Sequence, residues 1–166
     1  MADWNARRIL KELADPERRR LILADFWRFE DAEGRVAAQA YLAKKLHFRD
    51  VTIKKLPPEK KGELLAARMV DPEVEHFLGM ALMQYHLHRA RPLMAAFLDQ
   101  WKVPHEDGVV GENAGEGLDA EKVRSAVGAL EGQFDRADVR LYLATAGLLM
   151  GDDWREAMWP VVDELA

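Results

Sequence analysis

Cysteine is absent from the chain. That excludes a disulfide framework, a thiol nucleophile and any zinc site that needs thiolate ligands. Serine is nearly absent too. Ser125 is the only one, and no Gly-x-Ser-x-Gly surrounds it, so covalent acyl chemistry has almost nowhere to occur. No apolar run approaches the roughly 20 residues of a membrane span. The opening residues, Met1-Ala2-Asp3-Trp4-Asn5, lack the basic flank and apolar stretch of a signal peptide. We therefore expect a soluble, cytoplasmic protein with no membrane partner. Positive charge is also short: a net charge of −5 over 166 residues argues mildly against a dedicated nucleic-acid binder.

The chain does have a hydrophobic content of 49% with 32% charged residues, which suits one globular domain over residues 1–166. Its apolar residues recur at spacings of three and four. This pattern predicts helices over 3–14, 16–30, 33–46, 58–69, 72–89, 91–102, 119–133, 136–150 and 153–165. The expected fold class is all-α, a helical array or bundle of about nine helices. No segment alternates long enough to predict a strand, and Val51-Thr52-Ile53 is the only β-like stretch. Asp15-Pro16-Glu17 and Asp71-Pro72-Glu73 each read as a cap, a first-turn proline and a first-turn acid. Leu56-Pro57-Pro58-Glu59 opens another helix, and Asp119 reads as a further cap. Residues 47–57 form a polar, basic linker. Residues 103–118 form a glycine-rich, acidic linker that is long for a simple connection.

An Asp and an Arg twenty residues apart occur three times, as Asp15/Arg35, Asp71/Arg91 and Asp135/Arg155. This spacing suggests three stacked three-helix units, 3–46, 58–102 and 119–165. In each, the Asp would cap the second helix. The Arg would open the third, beside the carbonyl end of the second. The last helix pair, Leu143 to Leu165 with Gly151-Asp152-Asp153-Trp154 at its turn, resembles a tetratricopeptide unit but carries one extra turn residue. On helix 72–89, Val74, Phe77, Leu78, Ala81, Leu82 and Tyr85 make one apolar face, while His76, Met80, Met83 and Leu87 make another. Helix 136–150 is apolar almost all round, as befits a helix inside an array.

Few residues suggest chemistry. Glu73-Val74-Glu75-His76 holds one Glu-x-x-His pair, whereas a carboxylate-bridged di-iron bundle needs two such pairs and two further Glu. His86 and His88 point about 160° apart on a helix, and neither shares the face of His76. His76 therefore reads first as a packing residue beside Met80 and Met83. Asp25 falls among Leu21, Ile22 and Phe29 on the apolar side of its helix, at a position equivalent to Ala81 and Thr145 in the other units. A buried carboxylate needs a partner. Arg28, one turn on, is the local one, unless the face is not fully buried; otherwise Asp25 lines a pocket as a ligand contact or general base. Lys44, Lys45, Arg49, Lys54, Lys55, Lys60 and Lys61 form a basic patch offset only by Asp50 and Glu59, which reads as a solvated face before a phosphate-binding one. The five tryptophans read as core and junction residues rather than a ligand cage.

The reading that follows is a non-catalytic protein-interaction or scaffold module with no metal, no cofactor and no catalytic residue, its partner an unknown protein or a second copy of the chain. The alternative is a small-molecule-binding bundle with a pocket near Asp25 and Arg28 or near His76, Met80 and Met83. A metal-dependent enzyme comes third, and it requires the fold to bring further carboxylates or histidines to His76. A scaffold should show a broad groove and no perturbed titrating group. A binder should show an apolar pocket with Asp25 or His76 in its wall.

Overall fold

The computed structural model describes residues 3–166; Met1 and Ala2, where the leader reading began, lie outside them. Ten α-helices follow one another: α1 (Ala6–Leu13), α2 (Pro16–Phe29), α3 (Ala32–Leu46), α4 (Asp50–Lys54), α5 (Pro58–Ala66), α6 (Glu75–Arg89), α7 (Arg91–Gln100), α8 (Ala120–Ala129), α9 (Arg136–Leu149) and α10 (Asp152–Glu164). The architecture is an all-α array with one small hairpin, β1 (His105–Glu106) and β2 (Val109–Val110). No helix is long and apolar enough to cross a membrane, among the described residues.

All nine predicted helices are present, with ends shifted by a few residues. The caps explain why they begin where they do. The side chains of Asp15, Asp119 and Asp135 accept from the amides of Arg18, Lys122 and Ala137. Asp71 accepts from the Glu73 amide and opens a single 3₁₀ turn, Pro72–Val74, that leads into α6. Each cap satisfies an amide that the helix itself leaves unpaired. Two local readings are corrected. Val51-Thr52-Ile53 is helical, forming most of α4, because Ile53 is driven into the core while its neighbours stay exposed. The 103–118 segment contains a two-stranded ladder, His105 opposite Val110 and Glu106 opposite Val109. Its turn residues Asp107 and Gly108 both have positive φ, 49° and 86°, the backbone a tight two-residue hairpin requires.

Packing places α6 at the centre, against α1, α2, α7 and α9. The most extensive contacts of the first third of the chain are made outside it: α2 lies on α5 and α6, and α1 on α6 and α9. Gly62 makes the α2–α5 approach close, since a Cβ there would stand 3.1 Å from the Ala24 nitrogen. In the last third α10 packs on both α8 and α9. The Asp/Arg spacing therefore recurs more regularly than the packing does. Of the three arginines, Arg91 does what the spacing suggested, donating from Nε to the Leu87 carbonyl at 2.6 Å near the end of α6. Arg155 pairs instead with Asp152 at 2.9 Å, and Arg35 is exposed.

Candidate functional site

A cleft of about 270 Å³ opens where α6, α7, α9, the hairpin and the start of α10 converge. Three helical stripes build it. From α6 come Met83, His86 and Leu87, spaced three and four apart; from α7, Met94 and Leu98; from α9, Tyr142, Thr145, Ala146 and Leu149. Each set lies on one face of its helix. Met150, Trp154 and, from the hairpin, Gly108, Val109 and Val110 complete the lining. The hairpin fits there because Gly108 has no side chain: a Cβ would stand 3.0 Å from that of Met94. Arg91 fixes the turn, donating to the Asp107 carbonyl at 3.2 Å. His105 braces it from within. Its Nδ1 accepts from the Gly108 amide at 3.0 Å, so Nε2 carries the proton and donates to Asp99 at 2.7 Å.

The wall is apolar except for four side-chain groups, one of them the indole N–H of Trp154. His86 is buried, with Nδ1 at 2.8 Å from the Leu82 carbonyl. A carbonyl only accepts, so Nδ1 holds the proton and Nε2 is a bare acceptor. Burial pushes the His86 pKa down to about 4, helped by the charge of Arg18 and opposed by the bond to Leu82. The imidazole is thus neutral near pH 7. The hydroxyl of Tyr142 is pushed up by burial and keeps its proton. Thr145 is 4% exposed, and its Oγ1 has no hydrogen-bond partner. Helical threonines commonly bond back to the carbonyl one turn earlier; this one does not. An unpaired buried hydroxyl costs about 1–3 kcal/mol.

His86 makes a pH prediction. The unfolded chain takes up its proton near pH 6.5, the folded chain only near 4. Stability from this group is therefore full above pH 6.5 and falls as pH drops toward 4, by about 3 kcal/mol in all. Urea denaturation at pH 7 and pH 4.5 should show the native chain losing roughly 2–3 kcal/mol more than His86→Leu. An equal loss in both would mean that His86 is not held neutral.

The structure distributes the residues expected from sequence as follows. Met83 is in the cleft wall. Met80 is half-buried against the core, and His76 is exposed with its ring against Phe77, so neither reaches the cleft. Asp25 is completely buried and fully engaged: Arg89 donates Nε at 2.5 Å and Nε's neighbouring amino group at 2.9 Å, and Arg28 donates at 3.1 Å. Arg28 also reaches Glu59. Asp25 thus ties α2 to α6 and does not line the cleft. Of the basic patch, Lys45 is bound to Asp71 and Glu73, Lys60 to Glu63, and Lys61 lies over the ring of Trp27 at 5.1 Å. Lys44, Arg49, Lys54 and Lys55 stay exposed. Among the described residues, no three His, Asp or Glu gather to hold a metal ion, so the cluster that His76 would need is not assembled. Four tryptophans are buried, and one of them, Trp154, borders the cleft.

His86, Thr145 and Tyr142 were not picked out for a site by sequence reasoning, although their spacing relative to Met83, Leu87 and Ala146 puts them on common faces. Comparison with protein-family models, with curated proteins and with solved structures finds no match.

Proposed function

We propose that this protein binds a small molecule in the cleft between α6, α7, α9 and the hairpin. The observation that carries the reading is an apolar cleft of about 270 Å³ whose lining holds only a few polar side chains, among them His86, Tyr142 and Trp154. A few placed polar groups in an apolar concavity are what small-molecule sites have in common, and the volume sits near the lower end of the roughly 300–1,000 Å³ usual for them. A pocket beside Asp25 has less support, because its carboxylate already has two arginine partners.

The interaction-module reading draws on one separate observation. Val109, Leu149 and Met150 stand 39–43% exposed around the cleft. A protein partner covering the rim would bury them.

Native mass spectrometry of untagged protein, purified gently from a host close to its source, tests the choice. The binding reading expects extra mass on the chain that is lost on denaturation. A bare chain, or a bare multiple of it, would overturn that reading and leave the interaction module ahead.

A further inference from the structure

We propose, resting on the small-molecule reading above, that the occupant of the cleft is an uncharged, mainly apolar molecule of roughly ten to twelve non-hydrogen atoms with one head group that both donates and accepts a hydrogen bond, such as a hydroxyl or a primary amide.

Size follows from volume. An apolar cavity of about 150 Å³ holds a benzene ring, and this cleft offers about 270 Å³, which scales six atoms to ten or twelve. Charge follows from the wall. No Asp, Glu, Lys or Arg lines the cleft. Arg91, on the helix that supplies Met94, already spends its guanidinium on the Leu87 carbonyl and on Asp107. An ion entering would lose its hydration without gaining a counter-charge. His86 offers no charge near neutral pH, since burial keeps it unprotonated. The head group follows from the polar trio. His86 Nε2 accepts only, the Trp154 indole N–H donates only, and the Tyr142 hydroxyl does both, whereas the Thr145 Oγ1 is closed off from the cleft. A group that can both give and take a proton in a hydrogen bond satisfies this set, which an alkane does not. Shape is left loose by the sequence: Met83, Met94 and Met150 give the wall three flexible thioether side chains that adjust to a chain or a ring.

The probes are 1-decanol and decanoate, titrated calorimetrically into the full chain at pH 7.5, where decanoate is a carboxylate. Decanol should bind, and decanoate should bind at least about 100-fold more weakly. Tyr142→Phe should weaken decanol by roughly three- to tenfold while a melting curve shows the variant folded. Should that variant fail to fold, His86→Leu removes the acceptor of the same head-group contact, with the same expected direction. Decanoate binding as tightly as decanol would overturn the uncharged class while leaving the cleft a binding site. Decanol binding undiminished in the folded variants would overturn the head group. If neither probe binds, the inference is overturned, and the native mass of the untagged chain decides the small-molecule reading separately.

Discussion

Asp25→Ala should destabilise the protein by about 2–3 kcal/mol, a drop in Tm of roughly 5–10 °C. The carboxylate is completely buried, and Arg89 and Arg28 converge on it from two helices. Removing one partner of a buried ion pair generally costs about 3–5 kcal/mol, because the survivor is left charged and dry. Here the survivors are better placed. The side chains of Arg89 and Arg28 are 38% and 29% exposed and can turn to water, and Arg28 keeps Glu59. The cost therefore sits below that range. Asp25→Asn keeps the shape and loses the charge, so it should fall between the alanine variant and the native chain. Because Asp25 does not line the cleft, decanol binding by the folded variant should be unchanged. Thermal denaturation with titration calorimetry checks both. No loss of stability would mean that the pair is not what joins α2 to α6, and an unpaired carboxylate lost without harm is what sequence alone allows.

Ala146→Phe should abolish ligand binding while the protein stays folded. Ala146 lies in the cleft wall between Tyr142 and Leu149 on α9. A phenyl ring fills an apolar cavity of about 150 Å³, more than half of the 270 Å³ present. A decanol molecule would be denied about five of its methylenes, worth about 0.8 kcal/mol each, or roughly a thousandfold in affinity. The ring enters free space, so overpacking strain should be small. Calorimetric titration of decanol, with a melting curve to confirm the fold, checks the result. Retained affinity would place the ligand elsewhere.

The helices were legible because their signals are local. Periodicity located the nine longer ones, and Asp15, Asp71 and Asp119 marked starts that the structure uses as caps. The short helix α4 was not, since Val51, Thr52 and Ile53 have β-favouring side chains and only the burial of Ile53 decides the matter. The hairpin did carry a signal: Asp107-Gly108 is a favoured two-residue turn, but the acidic, glycine-rich surroundings made it read as a linker. The site was harder. Arg28 lies one turn from Asp25 and was found; Arg89 lies 64 residues away and was not. Met83 was selected with His76 and Met80 because all three share a helical stripe, but of the three only Met83 lines the cleft. His86 was set aside as a metal ligand, and Thr145 appeared only as the counterpart of Asp25. That α6, α7 and α9 would converge on one space is a fact of tertiary packing, and no spacing within one helix contains it.

The central claim is that the cleft is where a small molecule sits. The methionine methyl groups test it most directly, because six of the chain's seven lie in the described residues and are distributed inside and outside the cleft. A ¹H–¹³C methyl spectrum recorded during titration with 1-decanol should move Met83, Met94 and Met150, which line the cleft, and leave Met69, Met80 and Met158 in place. A spectrum that does not change, or one in which Met69, Met80 or Met158 moves instead, would contradict the account.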